Sequence, residues 1–127
     1  MRILLVDDEQ KFALMLAKRL ELRGIQVDVF FSGDKALEMV EQENRFDVAI
    51  LDVKMPGIGG IELKRRLGAL DPRMQFVFLT GHGANRDDTL GDDEAADCLP
   101  KPLKIDALIA TLNRLTEGPP GTPNNRP

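Results

Sequence analysis

Apolar residues along this chain fall into two alternating patterns. Short runs, apolar almost throughout, occupy residues 3–6 (ILLV), 27–30 (VDVF), 48–51 (VAIL) and 76–79 (FVFL). Their length and their content of Val, Ile, Leu and Phe predict strands buried on both faces. Between and after them the apolar positions spread into one helical stripe each: Phe12, Leu16 and Leu20; Ala36, Leu37 and Val40; Leu63, Leu67 and Leu70; then Ile105, Leu108, Ile109, Leu112 and Leu115. The punctuation agrees, with Gly24 as a stop after the first helix, Ser32 as an N-cap for the second and Asp71-Pro72 ending the third. A short fifth strand is expected at 97–99, before Pro100. A weak fourth helix is expected in 84–96 (ANRDDTLGDDEAA), where Gly91 interrupts and Leu90 is the lone large apolar anchor. Alternation of this kind predicts an α/β fold, a doubly wound five-stranded parallel sheet with helices on both faces. The segment EGPPGTPNNRP carries nothing to anchor it, so the expected division is one domain over 1–116 and a flexible tail or linker start at 117–127.

Composition narrows what such a domain does. A length of 127 residues suits one domain with a real core. A formal net charge of -4 leaves no basic stripe for duplex DNA, so direct nucleic-acid binding is not expected. The single cysteine, Cys98, excludes an internal disulfide, and the single histidine, His82, excludes zinc-finger spacing; both fit a reducing compartment. The apolar run cut off by Asp7 is far short of a signal-peptide core or a membrane span, so the expected location is cytoplasmic, away from membranes.

The candidate chemistry lies at the strand ends, because ligands of open parallel sheets bind beyond the carboxyl ends of the strands, where the strand order reverses. The first strand runs into Asp7 and Asp8, the third into Asp52, the fourth into Thr80, and Lys101 follows the fifth. Carboxylates crowded together repel, which raises their pKa values and destabilises the fold unless a cation is shared among them. Oxygen ligands without His or Cys suit a hard divalent ion, above all Mg2+. There are plainer uses for the same residues. Asp7 and Asp8 are good N-cap residues for the first helix, and Asp52 stands before Met55, Pro56 and Gly57, which shape a turn. A carboxylate closing a buried run for a turn alone, however, is desolvated for no gain.

The set DDE at 7–9, LDVKMPGIGG at 51–60, LTGHG at 79–83 and DCLPKPL at 97–103 resembles the receiver domain of two-component response regulators, over residues 2–116. The resemblance implies a flavodoxin-like receiver fold. It also implies transfer of a phosphoryl group from a sensor histidine kinase, a phosphotransfer protein or a small phosphodonor to Asp52, with Mg2+ (or Mn2+). The implied output is a changed surface read by a downstream protein partner or a homodimer, followed by slow autodephosphorylation. Such a domain is a signalling switch, not an enzyme with a separate substrate. By the same mapping Asp8 and Asp52 are direct metal ligands, Asp7 acts largely through bound water, and the backbone carbonyl of Lys54 completes the protein's share. Lys101 offers a positive charge to the phosphoryl oxygens, Thr80 offers a hydroxyl that moves toward them, and the Lys101–Pro102 peptide is cis.

Departures from the pattern bear on output and tuning. Cys98 stands where receivers usually carry a Tyr or Phe that swings inward, and Glu94 where a Gly commonly opens a turn, which points to altered coupling through the fourth helix, fifth strand and fifth helix. His82 is expected either to tune phosphoaspartate hydrolysis or to be a solvated loop residue. The enzymatic alternative, an Mg-dependent aspartyl-phosphate phosphatase, commonly places a second acid two residues beyond the nucleophile; Lys54 stands there instead. A degenerate receiver that binds without being phosphorylated is opposed by the complete set Asp7, Asp8, Asp52, Thr80 and Lys101. A flavin binder is opposed by the lack of a glycine- or hydroxyl-rich loop after the first strand.

Overall fold

The computed structural model describes residues 1–43, 45–81 and 97–117. In chain order they form β1 (Arg2–Val6), α1 (Gln10–Glu21), β2 (Gln26–Phe30), α2 (Gly33–Gln42), β3 (Val48–Asp52), α3 (Gly60–Leu70), β4 (Gln75–Thr80), β5 (Asp97–Pro100) and α4 (Ile105–Glu117). Every strand pair is parallel, and the sheet order is β2-β1-β3-β4-β5. This is the doubly wound sheet expected from the alternating pattern. The helix expected within 84–96, together with His82, Glu94 and the tail beyond Glu117, lies outside the described residues.

Side chains alternate across each strand, so the central strands feed two cores. Leu4, Val6, Ala49, Leu51, Phe76 and Phe78 face one side, where Ala36, Leu37 and Val40 of α2 and Leu63 and Leu67 of α3 cover them. Ile3, Leu5, Val48, Ile50, Val77 and Leu79 face the other, under Ala13, Leu16 and Leu20 of α1 and Leu108 and Leu112 of α4. The helical stripes therefore do the packing that their spacing predicts. The caps agree as well. Ser32 Oγ accepts the backbone N–H of Lys35 at 3.4 Å, and Gly24 adopts φ +80 after α1, a conformation that favours glycine.

Two expectations about burial are corrected. The run 27–30 is not buried on both faces: β2 is an edge strand in which Val27 alone is buried, and Asp28 meets Arg2 at 2.8 Å. An apolar run signals a strand but carries no information on where the strand sits in the sheet. Leu70 is likewise exposed, because α3 ends there and its last residue lies past the edge of the core formed by Leu63 and Leu67.

The connections from β1 lead to β2 on one side, and β3 lies on its other side. The order therefore reverses between β1 and β3. The carboxyl ends of these two strands, at Val6 and Asp52, frame the crevice where ligands of such sheets bind.

Candidate functional site

Asp7 follows β1 directly and is fully buried. Its backbone N–H donates to the Phe30 carbonyl at 3.1 Å, and its Oδ1 accepts the N–H of Glu9 at 2.9 Å. These contacts turn the chain into α1, whose N-cap residue is Glu9. Neither Asp7 nor Asp8 is the cap, so the capping half of the plainer reading does not hold, while Asp7 does serve the turn. Asp52 is the last residue of β3 and is 5% exposed. The loop behind it is fixed by hydrogen bonds from Val53 N–H to the Leu79 carbonyl, 3.0 Å, and from Gly60 N–H to the Val53 carbonyl, 2.9 Å. Gly57 has φ +73, which agrees with a turn at Met55, Pro56 and Gly57. At Gly60 a Cβ would run into the Asp52 carbonyl oxygen, so only glycine lets α3 begin this close to the strand end.

Asp7, Asp8 and Asp52 each offer a carboxylate oxygen, and the three oxygens lie within 4.8 Å of one another, Asp8 from the exposed side. Lys101, after β5 and before a cis bond to Pro102, reaches the same place. Its Nζ lies 2.8 Å from Asp7 Oδ2, 2.7 Å from Glu9 Oε1 and 3.8 Å from Asp52 Oδ1. It also lies 4.5 Å from the centroid of the Phe12 ring. The contact with Glu9 is a hydrogen bond. That with Asp7 is close but poorly aligned, so Asp7 Oδ2 is a buried oxygen with an ionic neighbour and no hydrogen-bond donor. Thr80 closes β4, is 5% exposed, and its carbonyl accepts the Lys101 N–H at 2.8 Å.

The electrostatics follow from this crowding. Burial, and then the charges of Asp7 and Asp8 with a hydrogen bond to Asp8, push the Asp52 carboxyl from 3.8 up to about 7, against the opposing charge of Lys101. Burial works against the charge of Lys101, yet its close contacts with Asp7 and Glu9 and the charge of Asp52 hold its pKa above the ordinary value. One lysine does not neutralise three carboxylates and Glu9. The donor set consists of hard oxygens, one of them, Asp7 Oδ2, buried with the Lys101 ammonium beside it, and the acid with the raised pKa stands in its midst. That set fits a divalent cation of the Mg2+ class.

The structure therefore brings together five of the residues singled out in the sequence: Asp7, Asp8, Asp52 and Lys101 through their side chains, and Thr80 through the main chain beside them. Lys54 lies in the loop two residues past Asp52 with its side chain in solvent. Cys98 stands apart, opposite Phe78 in the β4–β5 register and half-buried against the core covered by α2 and α3. Two contributors were missed. Phe12 reads as core from its spacing, yet it is half-buried and lies beside the Lys101 ammonium. Glu9 belongs to the quoted DDE but received no role; the available signal was a glutamate at an N-cap, where shorter residues cap better.

Comparison with known proteins agrees with this geometry. The family model described as the response regulator receiver domain matches residues 3–113. The transcriptional regulatory protein TcrA of Mycobacterium tuberculosis is 38% identical over 120 residues, 94% of this chain and 47% of TcrA. The response regulator MprA of Mycobacterium leprae is 35% identical over 116 residues, 91% of this chain and 50% of MprA. The chain thus spans about half the length of the curated relatives it matches. Among solved structures, a response regulator receiver domain protein from Clostridium thermocellum superposes with TM-score 0.81 and 31% identity, covering 90% of this chain and 92% of that one. The response regulator TrrA from Thermotoga maritima, solved in complex with Mg2+-BeF, gives TM-score 0.78 and 28% identity, covering 90% and 97%. With the sheet order, the acidic site at its switch point and the match over nearly all of its described length, this chain belongs to the response regulator receiver domains, the phospho-accepting signalling domains of two-component systems.

Proposed function

We propose that Asp52 is the phosphoacceptor and that Asp7, Asp8 and Asp52, with the backbone carbonyl of Lys54, hold a Mg2+ (or Mn2+) ion beside it. The observation that carries this reading is the convergence of three carboxylate oxygens within 4.8 Å, Asp52 among them at the end of the buried β3. TrrA, a relative of the same fold, was solved with Mg2+-BeF, and this supports a divalent ion next to a phosphoryl-like group at such a site.

In the transfer, a carboxylate oxygen of Asp52 forms a bond to phosphorus while the bond from phosphorus to the donor nitrogen or oxygen breaks. The bonding pair leaves with the donor, and the product is an aspartyl phosphate. A bound divalent ion supplies charge neutralisation to the carboxylates and the incoming group. Lys101 contributes a point charge and hydrogen-bond donors to the phosphoryl oxygens, and Thr80 a hydroxyl donor at the end of the adjoining strand. Since burial and the neighbouring carboxylates raise the Asp52 carboxyl to about 7 in the cation-free protein, loading the ion also favours the ionised carboxylate that attacks.

A receiver domain implies a histidine kinase as its phosphoryl source, directly or through a phosphotransfer protein. Its output is a change in the surface offered to a downstream protein or to a second copy. Cys98 in place of the usual aromatic, and His82, two residues after Thr80 in sequence, are the positions we assign to reading and tuning the phosphorylated state. No helix among the described residues is long and apolar enough to cross a membrane, and we place the domain in the cytoplasm with its kinase partner. The test is intact mass after incubation with acetyl phosphate, with and without Mg2+, followed by peptide mapping. One Mg-dependent phosphoryl group on Asp52, lost in D52N, is the expected result. A folded protein that takes none, even from a panel of kinases, is a degenerate receiver, and the assignment fails.

A further inference from the structure

Glu9 has no part in the acceptor chemistry above, and its position calls for an explanation. It is the N-cap residue of α1, yet its side chain makes no capping hydrogen bond. Ser, Thr, Asp and Asn cap helices because a short side chain turns its oxygen back onto the first turn. The Glu9 carboxylate instead leaves the helix and accepts a hydrogen bond from Lys101 Nζ at 2.7 Å. The ring of Phe12, three residues further along α1, lies 4.5 Å from the same ammonium. Glu9, Asp7 and Phe12 together keep that ammonium 3.8 Å from the nearest Asp52 oxygen, beyond hydrogen-bonding reach.

We propose that Glu9 and Phe12 form a parking site for Lys101, and that exchange of Glu9 for the anionic group arriving on Asp52 delivers the ammonium to that group. Glu9 is then a positioning residue that acts through Lys101. The proposal rests on Asp52 being the acceptor. Its physical basis is a difference between two anions. The Glu9 side chain is 62% exposed, so its attraction for Lys101 is screened by water and readily exchanged. A phosphoryl group brings nearly two charges and three acceptor oxygens into a site where Lys101 is only 11% exposed, and it outbids a single exposed carboxylate. The buried contact with Asp7 keeps Lys101 at the site through the exchange, so the ammonium has only a short way to move.

Two measurements on wild type and E9Q test this, with beryllofluoride at saturating Mg2+ as the phosphoryl stand-in. Calorimetry gives its affinity, and the NMR resonances of the Lys101 Cε protons, assigned by comparison with K101R, give the position of the ammonium. Beside the Phe12 ring these protons are displaced by the ring current, and beryllofluoride should return them toward the ordinary lysine position. In E9Q, beryllofluoride should bind about two- to fivefold more tightly, the range that screened ion pairs command. The Cε resonances of unliganded E9Q should already have moved part of that way. Tighter binding without the movement would assign the gain to net charge alone and overturn the proposal, as would unchanged or weaker binding. If wild type takes up no beryllofluoride, the acceptor reading itself fails, and delivery of Lys101 to Asp52 fails with it.

Discussion

Replacing Asp52 by Asn should stabilise the cation-free protein, and the gain should depend on pH in a defined way. The folded-state pKa is raised from 3.8 to about 7, so the folded protein binds a proton that the unfolded chain has already released. Wild-type stability therefore falls as pH rises from about 4 to about 7 and levels off above it. An amide has no charge to strand, so D52N escapes this loss. A shift of about three units at about 1.4 kcal/mol each sets an upper limit near ~4 kcal/mol above pH 7. Desolvation of the amide and the lost neighbour of Lys101 reduce the net value to about 1–4 kcal/mol. The comparison between two pH values removes both corrections: from pH 5 to pH 8 the advantage of D52N should grow by about 2–3 kcal/mol. The assay is urea unfolding in EDTA followed by far-UV circular dichroism, since the chain has no Trp or Tyr for fluorescence. An advantage of equal size at pH 5 and pH 8, or none at pH 8, would refute the claim that an ionised Asp52 strains the site.

Magnesium should act on the same strain from the other side. With a dissociation constant of order 1 mM, 10 mM Mg2+ adds about 1.4 kcal/mol to wild type, several degrees in Tm, and far less to D52N. Because protons compete for Asp52, the affinity measured by calorimetry should weaken as pH is lowered below 7; an unmoved Tm would count against the metal site. K101Q should lose about 2–4 kcal/mol without divalent ions, since Asp7 then keeps a buried charge with no cation beside it, and Mg2+ should restore more of the stability of K101Q than it adds to wild type. Denaturation with and without the ion decides this, and an equal response in the two proteins would contradict it. G60A should cost about 1–3 kcal/mol because its Cβ meets the Asp52 carbonyl, whereas G68A, with 3.9 Å to the Phe76 ring, should gain about 0.5–1 kcal/mol as an ordinary helix substitution. Equal effects of the two alanines in urea would show that the α3 start is not tight.

The runs and stripes were enough to place four of the strands and the four described helices, because a strand buried on both faces is apolar throughout while a helix shows one apolar stripe. It did not place β2 at an edge: Val27 and Val29 look the same in sequence whether a second strand covers them or water does, and Asp28 gave the only hint. Leu70 shows the matching limit for a helix, since periodicity does not say where α3 stops relative to the core. Asp7, Asp8, Asp52, Thr80 and Lys101 were legible because a polar residue at the end of a buried run is costly unless it is used, and four strands, β1, β3, β4 and β5, carry such residues at or just past one edge of the sheet. Glu9 and Phe12 were not. Their contact with Lys101 joins residues far apart in sequence, and it depends on the entry angle of α1, which no local pattern encodes.

The main-chain bond from Lys101 N–H to the Thr80 carbonyl, at 2.8 Å, ties together the backbones of two residues at the end of the sheet. Sliding one of them relative to the other would break a parallel ladder that already pairs Thr80 with Pro100. What remains free is rotation about side-chain bonds. Rotations of this kind occur in picoseconds to nanoseconds, whereas collective shifts of packed elements take microseconds or longer. On the proposed acceptor reading, side chains at the site settle around an arriving anion faster than any packed element can shift.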